Sequence, residues 1–159
     1  MRGLAVYLKR EFKDVNCPAK KLRKLVRTIC CRFGLANATV GLVVVDNRYI
    51  RKLNDKFLHR KTATDCLAFD LSQADSGRKW FELVVNGQRA KSEAAKRRHP
   101  AQAELALYIT HGLLHFLGFD DLHKTQAQKM HRFEDEILQQ EGFGRVYDKT
   151  NKVVSKKRR

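Results

Sequence analysis

Thr39-Val40-Gly41-Leu42-Val43-Val44-Val45-Asp46 carries the most telling pattern in the chain. Thr39 to Val45 is rich in β-branched residues and apolar at consecutive rather than alternate positions, which predicts a strand covered on both faces. Asp46 then offers a side-chain oxygen to the first turn of a helix, with Ile50, Leu53, Asn54 and Phe57 on one side. Upstream, Pro18 opens a helical pattern in which Leu22, Leu25, Val26, Ile29, Cys30 and Phe33 recur at three- and four-residue spacing, and Gly34 ends it. Downstream, Thr64 to Leu71 and Trp80 to Val85 read as strands. Asn86 begins a basic helix that stops before Pro100, and a long helix runs from Ala101 to Leu117 and ends at Gly118. The last helix, Lys124 to Gln140, places Met130, Phe133, Ile137 and Leu138 on one stripe. No internal repeat interrupts this order, and a mixture of helices with a few strands predicts an α+β domain with one small sheet.

A chain of 159 residues, 43% of them apolar, supports a single domain with a real core. The domain is expected over 1–144, with 145–159 as a basic, flexible C-terminal tail. The longest apolar run, Val40 to Val45, is far short of the ~20 residues needed to cross a bilayer, so no membrane span is expected. Charged Lys9, Arg10 and Glu11 interrupt the start before any secretory apolar segment forms. Cys17, Cys30, Cys31 and Cys66 lack CxxC spacing and are expected as reduced, buried thiols, which points to a cytoplasmic protein.

Thirty-three Lys and Arg face 17 Asp and Glu, a net charge of +16. The excess is concentrated in Pro18–Arg32, Gln88–Arg98 and Lys149–Arg159. Three runs with almost no acidic counterweight point to a polyanionic partner, nucleic acid before anionic lipid.

The chemistry is concentrated in His111-Gly112-Leu113-Leu114-His115-Phe116-Leu117-Gly118-Phe119-Asp120-Asp121-Leu122-His123. Residues four apart share a helix face, so His111 and His115 can present two imidazoles to one cation. Gly118 lets the chain turn back, and Asp121 or His123 then offers a third ligand. Three protein ligands with one open position describe a catalytic rather than a structural zinc site. In the metalloprotease form, HExxH, a glutamate serves as general base. Gly112 stands at that position, which argues against peptide hydrolysis.

These residues resemble the signature HGxLHxxGxDH of the YbeY family of endoribonucleases, small proteins tied to ribosomal RNA maturation. The resemblance extends to Leu53-Asn54 followed by Thr64-Asp65-Cys66-Leu67-Ala68-Phe69, which is similar to the family's LN…TDVLSF stretch, and to Leu83-Val84-Val85 with the basic helix after it. It spans roughly Val40 to Gly142. It implies a single α+β domain with a small mixed sheet packed by helices, the His helix lining a cleft. It also implies one zinc ion and a single-strand-specific endoribonuclease acting in 16S rRNA processing and ribosome quality control, with ribosomal RNA and ribosomal particles as partners. The basic runs would then hold the RNA backbone without reading sequence.

Two positions depart from the family pattern. The third histidine of the signature falls on Asp121, a competent zinc ligand that keeps the family spacing, with His123 as its rival. The arginine that the family associates with activity falls on Leu58. His59 and Arg60 lie beside it, and Arg60 is taken as the substitute catalytic residue. These departures leave an alternative open: a ribosome-associated assembly factor with a mainly structural metal. A basic nucleic-acid protein without metal would leave the histidine pair without a role.

Overall fold

The computed structural model describes residues 3–144 and 146. Four strands and five helices follow one another as β1 (Leu4–Arg10), α1 (Ala19–Arg32), β2 (Ala38–Val45), α2 (Asn47–Leu58), β3 (Cys66–Asp70), β4 (Lys79–Asn86), α3 (Gly87–Arg97), α4 (Ala101–Phe116) and α5 (Lys124–Gln140). The sheet order is β1-β2-β4-β3. β1, β2 and β4 are parallel, with Val6 opposite Val40 and Val40 opposite Phe81, and β3 returns antiparallel on β4, with Cys66 opposite Val85. The domain is therefore α+β with a small mixed sheet.

Two caps foreseen from residue type are formed. Asp46 accepts a hydrogen bond from the Tyr49 amide at 2.8 Å, and Asn86 accepts one from the Arg89 amide at 2.9 Å. Asn86 is fully buried and also donates from Nδ2 to Asn47 Oδ1 and to the Thr64 carbonyl. One asparagine thus starts α3 and fastens the loop that carries Asp65.

α4 occupies the centre of the molecule. It packs on α1, α3, α5, β3 and β4, and Ala103 through Thr110 are buried without interruption. A helix apolar on all sides is a core helix, and this one carries the histidines at its C-terminal end. The main core joins α1, α4 and α5 to one face of the sheet and includes Val146. A second, smaller cluster of Val45, Ile50, Leu67 and Val84 lies under α2 on the opposite face.

Several local expectations are corrected. β1 is a strand that its residues do not announce: Leu4 and Val6 are buried and Leu8 and Arg10 half-buried, alternating with the more exposed Ala5, Tyr7 and Lys9, and its identity comes from pairing with β2. β2 is not fully covered on both faces. Ala38, Val40, Leu42 and Val44 are buried, whereas Thr39, Gly41 and Val43 are half-exposed because α2 covers only one end of that face. All four cysteines are free, but Cys31 is exposed on α1 and Cys66 is only partly covered. The basic runs on α1 and α3 are surface features: Lys20, Lys24, Arg27, Arg89, Lys96 and Arg97 are exposed. No helix of the described residues is long and apolar enough to cross a membrane. The basic tail expected at 145–159 lies outside the described residues except for Val146.

Candidate metal centre

α4 ends in a tight left-handed turn. Gly118 has φ of +96°, the Gly118 amide donates to the His115 carbonyl at 3.1 Å, and the Phe119 amide donates to the Leu114 carbonyl at 3.0 Å. This pair of bonds is a Schellman cap, which needs a residue without a side-chain penalty at positive φ. Phe119 anchors the turn by packing edge-on to Phe33 and Phe133. The same turn aims the Phe119 carbonyl at His115, whose Nδ1 donates to it at 3.1 Å.

His111 is held from the other side. Its Nδ1 lies 3.2 Å from Oε1 of Glu134, a buried carboxylate on α5. With both Nδ1 atoms occupied as donors, both Nε2 atoms turn toward each other, 3.1 Å apart. Asp121 Oδ2 lies 3.5 Å from His111 Nε2 and 3.8 Å from His115 Nε2. Atoms bound to a tetrahedral ion at about 2.0–2.2 Å lie roughly 3.3–3.6 Å from one another. The triangle His111, His115 and Asp121, with sides of 3.1, 3.5 and 3.8 Å, brackets that range, and its donor set of two imidazoles and one carboxylate suits zinc. Two imidazole lone pairs that converge at 3.1 Å repel unless a cation lies between them, a proton in the metal-free chain or a metal ion.

The charge balance agrees. Burial works against a charged His111 ring, but the hydrogen bond it donates to Glu134 and the negative charge of that carboxylate outweigh burial, and Asp65 and Asp121 add to them. The pKa of His111 is raised as a result.

A cleft of about 200 Å³ opens beside His111, lined by Asp65, Arg89, Arg97, Tyr108, His131 and Glu134 among others. The two arginines come from the basic helix α3 and are exposed. Gly112, at the position of the metalloprotease glutamate, is buried and faces the sheet rather than the cleft, so a side chain at that position points into the core.

Of the residues singled out in the sequence, His111, His115 and Asp121 come together. His123 instead stands exposed at the N-terminal boundary of α5. Arg60 lies exposed just past the left-handed C-terminal residue of α2, His59, its amide donating to the Asn54 carbonyl at 3.3 Å. Among the described residues no hydrogen bond or ion pair joins Arg60 to the histidine cluster. Glu134 belongs to no sequence motif, and Asp65 and Arg89 stand out in the sequence only as parts of the TDVLSF-like stretch and of a basic run, not as members of the site. Glu134 did leave a signal, because an acid lies on the apolar stripe between Met130 and Ile137.

The family model for endoribonuclease YbeY matches residues 7–142. The endoribonuclease YbeY of an Anaeromyxobacter species is 34% identical over 141 residues, covering 88% of this chain and 73% of that one. The endoribonuclease YbeY of a Sulfurovum species is 33% identical over 134 residues, covering 81% of this chain and 86% of that one. The solution structure of TM1509 from Thermotoga maritima superimposes with a TM-score of 0.58 at 22% identity, covering 85% of this chain and 90% of that one, and shows the same fold.

Proposed function

The chain belongs to the endoribonuclease YbeY family, and from that premise we propose that it is a zinc-dependent endoribonuclease that cuts single-stranded RNA during 16S rRNA maturation and ribosome quality control. One observation carries the metal-dependent part of this reading: two Nε2 atoms and a carboxylate oxygen converge on one point, and one of the two histidines, His111, also lines a cleft that holds Arg89 and Arg97. In this reading His111, His115 and Asp121 hold one zinc ion. When bound, the ion supplies Lewis-acid charge at a phosphate oxygen and acidifies a coordinated water.

The protein's own groups account for the rest. Glu134 and the Phe119 carbonyl hold the two imidazoles with Nε2 toward the ion. Arg60, on the loop after α2, is assigned to the negative charge that builds on the phosphoryl oxygens. The exposed cations of α1 and α3 hold the RNA backbone, which gives affinity without base readout. Ribosomal RNA in ribosomal particles is the partner, the basic segment Val153–Arg159 adds salt-sensitive affinity, and the free cysteines suit the reducing cytoplasm.

A second reading, an assembly factor with a mainly structural metal, is favoured by Leu58, an apolar residue 52% exposed where the family signature has arginine. Incubating zinc-loaded protein with single-stranded and with duplex RNA, beside a His115→Ala variant, separates the two. The nuclease reading expects cleavage of the single strand that is lost in the variant. Zinc binding without cleavage selects the assembly factor, and equal cleavage by both proteins rejects the assigned site.

A further inference from the structure

Glu134 is a carboxylate with 2% of its surface exposed, flanked on α5 by fully buried Met130 and Ile137. Burying an ionised carboxylate is strongly unfavourable unless it is paired and hydrogen-bonded. Among the described residues no lysine or arginine forms an ion pair with it. Its ion-pair partners are imidazoles, with His111 Nδ1 at 3.2 Å and His131 Nδ1 at 3.4 Å from the same Oε1 atom. The buried charge is therefore balanced by rings rather than by a permanent cation, and one of those rings directs its other nitrogen to the point where His115 and Asp121 converge.

Resting on the metal-site reading above, we infer that Glu134 is the positioning residue of the metal centre: by accepting the Nδ1 proton of His111 it fixes the tautomer whose Nε2 lone pair faces the ion. An imidazole has two nitrogens, and only the one without a proton binds a metal. His115 obtains the same selection from a backbone carbonyl, which no side-chain substitution removes. His111 depends on a side chain 23 residues away on another helix. Glu134 also makes the ring a stronger electron donor, as a carboxylate does in a carboxylate–histidine–zinc triad. α5 is thereby a functional part of the centre as well as a packing element, and the distance between α4 and α5 is set in part by a hydrogen bond to a ligand.

The test measures zinc affinity by competition with a chromophoric chelator on the full chain, with thermal melting of the metal-free proteins as the control for folding. Glu134→Met keeps the size and removes the acceptor, and it is expected to weaken zinc binding by about 10–100-fold. Glu134→Gln keeps an oxygen acceptor without the charge, and it is expected to weaken binding by a smaller factor, because a charge-assisted hydrogen bond is roughly twice as strong as a neutral one. A merely structural glutamate would lower the melting temperature in both variants and leave the affinity of the folded protein unchanged. Folded Glu134→Met binding zinc within twofold of the wild type, or Glu134→Gln losing as much affinity as Glu134→Met, overturns the inference, and so does a wild type that takes up no zinc. The expected affinity losses without RNA cleavage in any of the proteins leave the role of Glu134 standing and remove the nuclease reading.

Discussion

Gly112 lies against Cys66 so closely that a β-carbon on the glycine would stand 2.6 Å from the cysteine Sγ, and 2.4 Å from a methyl of Leu83. This glycine, directly after His111, therefore sets how near α4 comes to β3 and β4, and with it the depth at which the imidazoles sit.

Gly112→Ala is expected to destabilise the protein. The methyl group must displace Leu83, which is fully buried, and such overpacking costs about 1–3 kcal/mol. Helix propensity offsets up to about 1 kcal/mol of that. The net loss of roughly 1–2 kcal/mol corresponds to a fall in Tm of roughly 2–8 °C in a domain of this size. Combining it with Cys66→Ala removes one of the two clashes and should recover part of the loss. A Tm equal to or above that of the wild type would show that α4 has room to shift.

Asp121 and His123 make opposite predictions. Asp121 lies 3.5 Å from His111 Nε2, whereas His123 is exposed at the start of α5. Asp121→Ala should reduce zinc affinity by more than the ~10–100-fold expected for loss of an outer partner. His123→Ala should leave it within about twofold. Zinc titrations of the two variants decide the matter, and the reverse pattern would make His123 the third ligand.

The raised pKa of His111 gives zinc binding a pH dependence of definite sign. The ring must release its Nε2 proton before it can bind a metal, so affinity falls as pH drops through a midpoint above the ordinary histidine value of about 6.5. In the metal-free chain the linkage runs the other way. The protonated ring is more favourable folded than unfolded, so its stabilisation is full below about 6.5 and is lost as pH rises through the folded-state pKa. Zinc affinity measured from pH 5 to 9 checks the first part, and Tm of the metal-free protein over the same range checks the second. An affinity midpoint below 6.5 would contradict the pairing of His111 with Glu134.

Cysteine reactivity should be confined to one position. Burial raises the Cys30 thiol to about 11 and pushes the Cys17 and Cys66 thiols up as well, whereas Cys31 is exposed. The thiolate is the reactive form, so iodoacetamide at pH 8 is expected to label the native protein at Cys31. Mass spectrometry should find one adduct per chain, and none over the same interval in Cys31→Ser. Rapid labelling of Cys66 would mean that α4 lifts off the sheet.

The helices and three of the four strands were legible in the residues alone. Asp46, Asn86 and Gly118 punctuate the chain by local chemistry that needs no distant partner, and four-residue spacing places His111 and His115 on one face wherever the helix lies. β1 was not legible, because Lys9 and Arg10 obscure its pattern and its strand character comes from hydrogen bonds to β2. Nor does spacing distinguish Asp121 from His123 near the pair, or show that a glutamate 23 residues beyond His111 supports it. Those outcomes depend on the direction in which the chain leaves Gly118 and on the face that α5 lays on α4. Periodicity acts within a few residues, whereas contacts between elements follow from how whole faces pack, and that is settled only when the core closes.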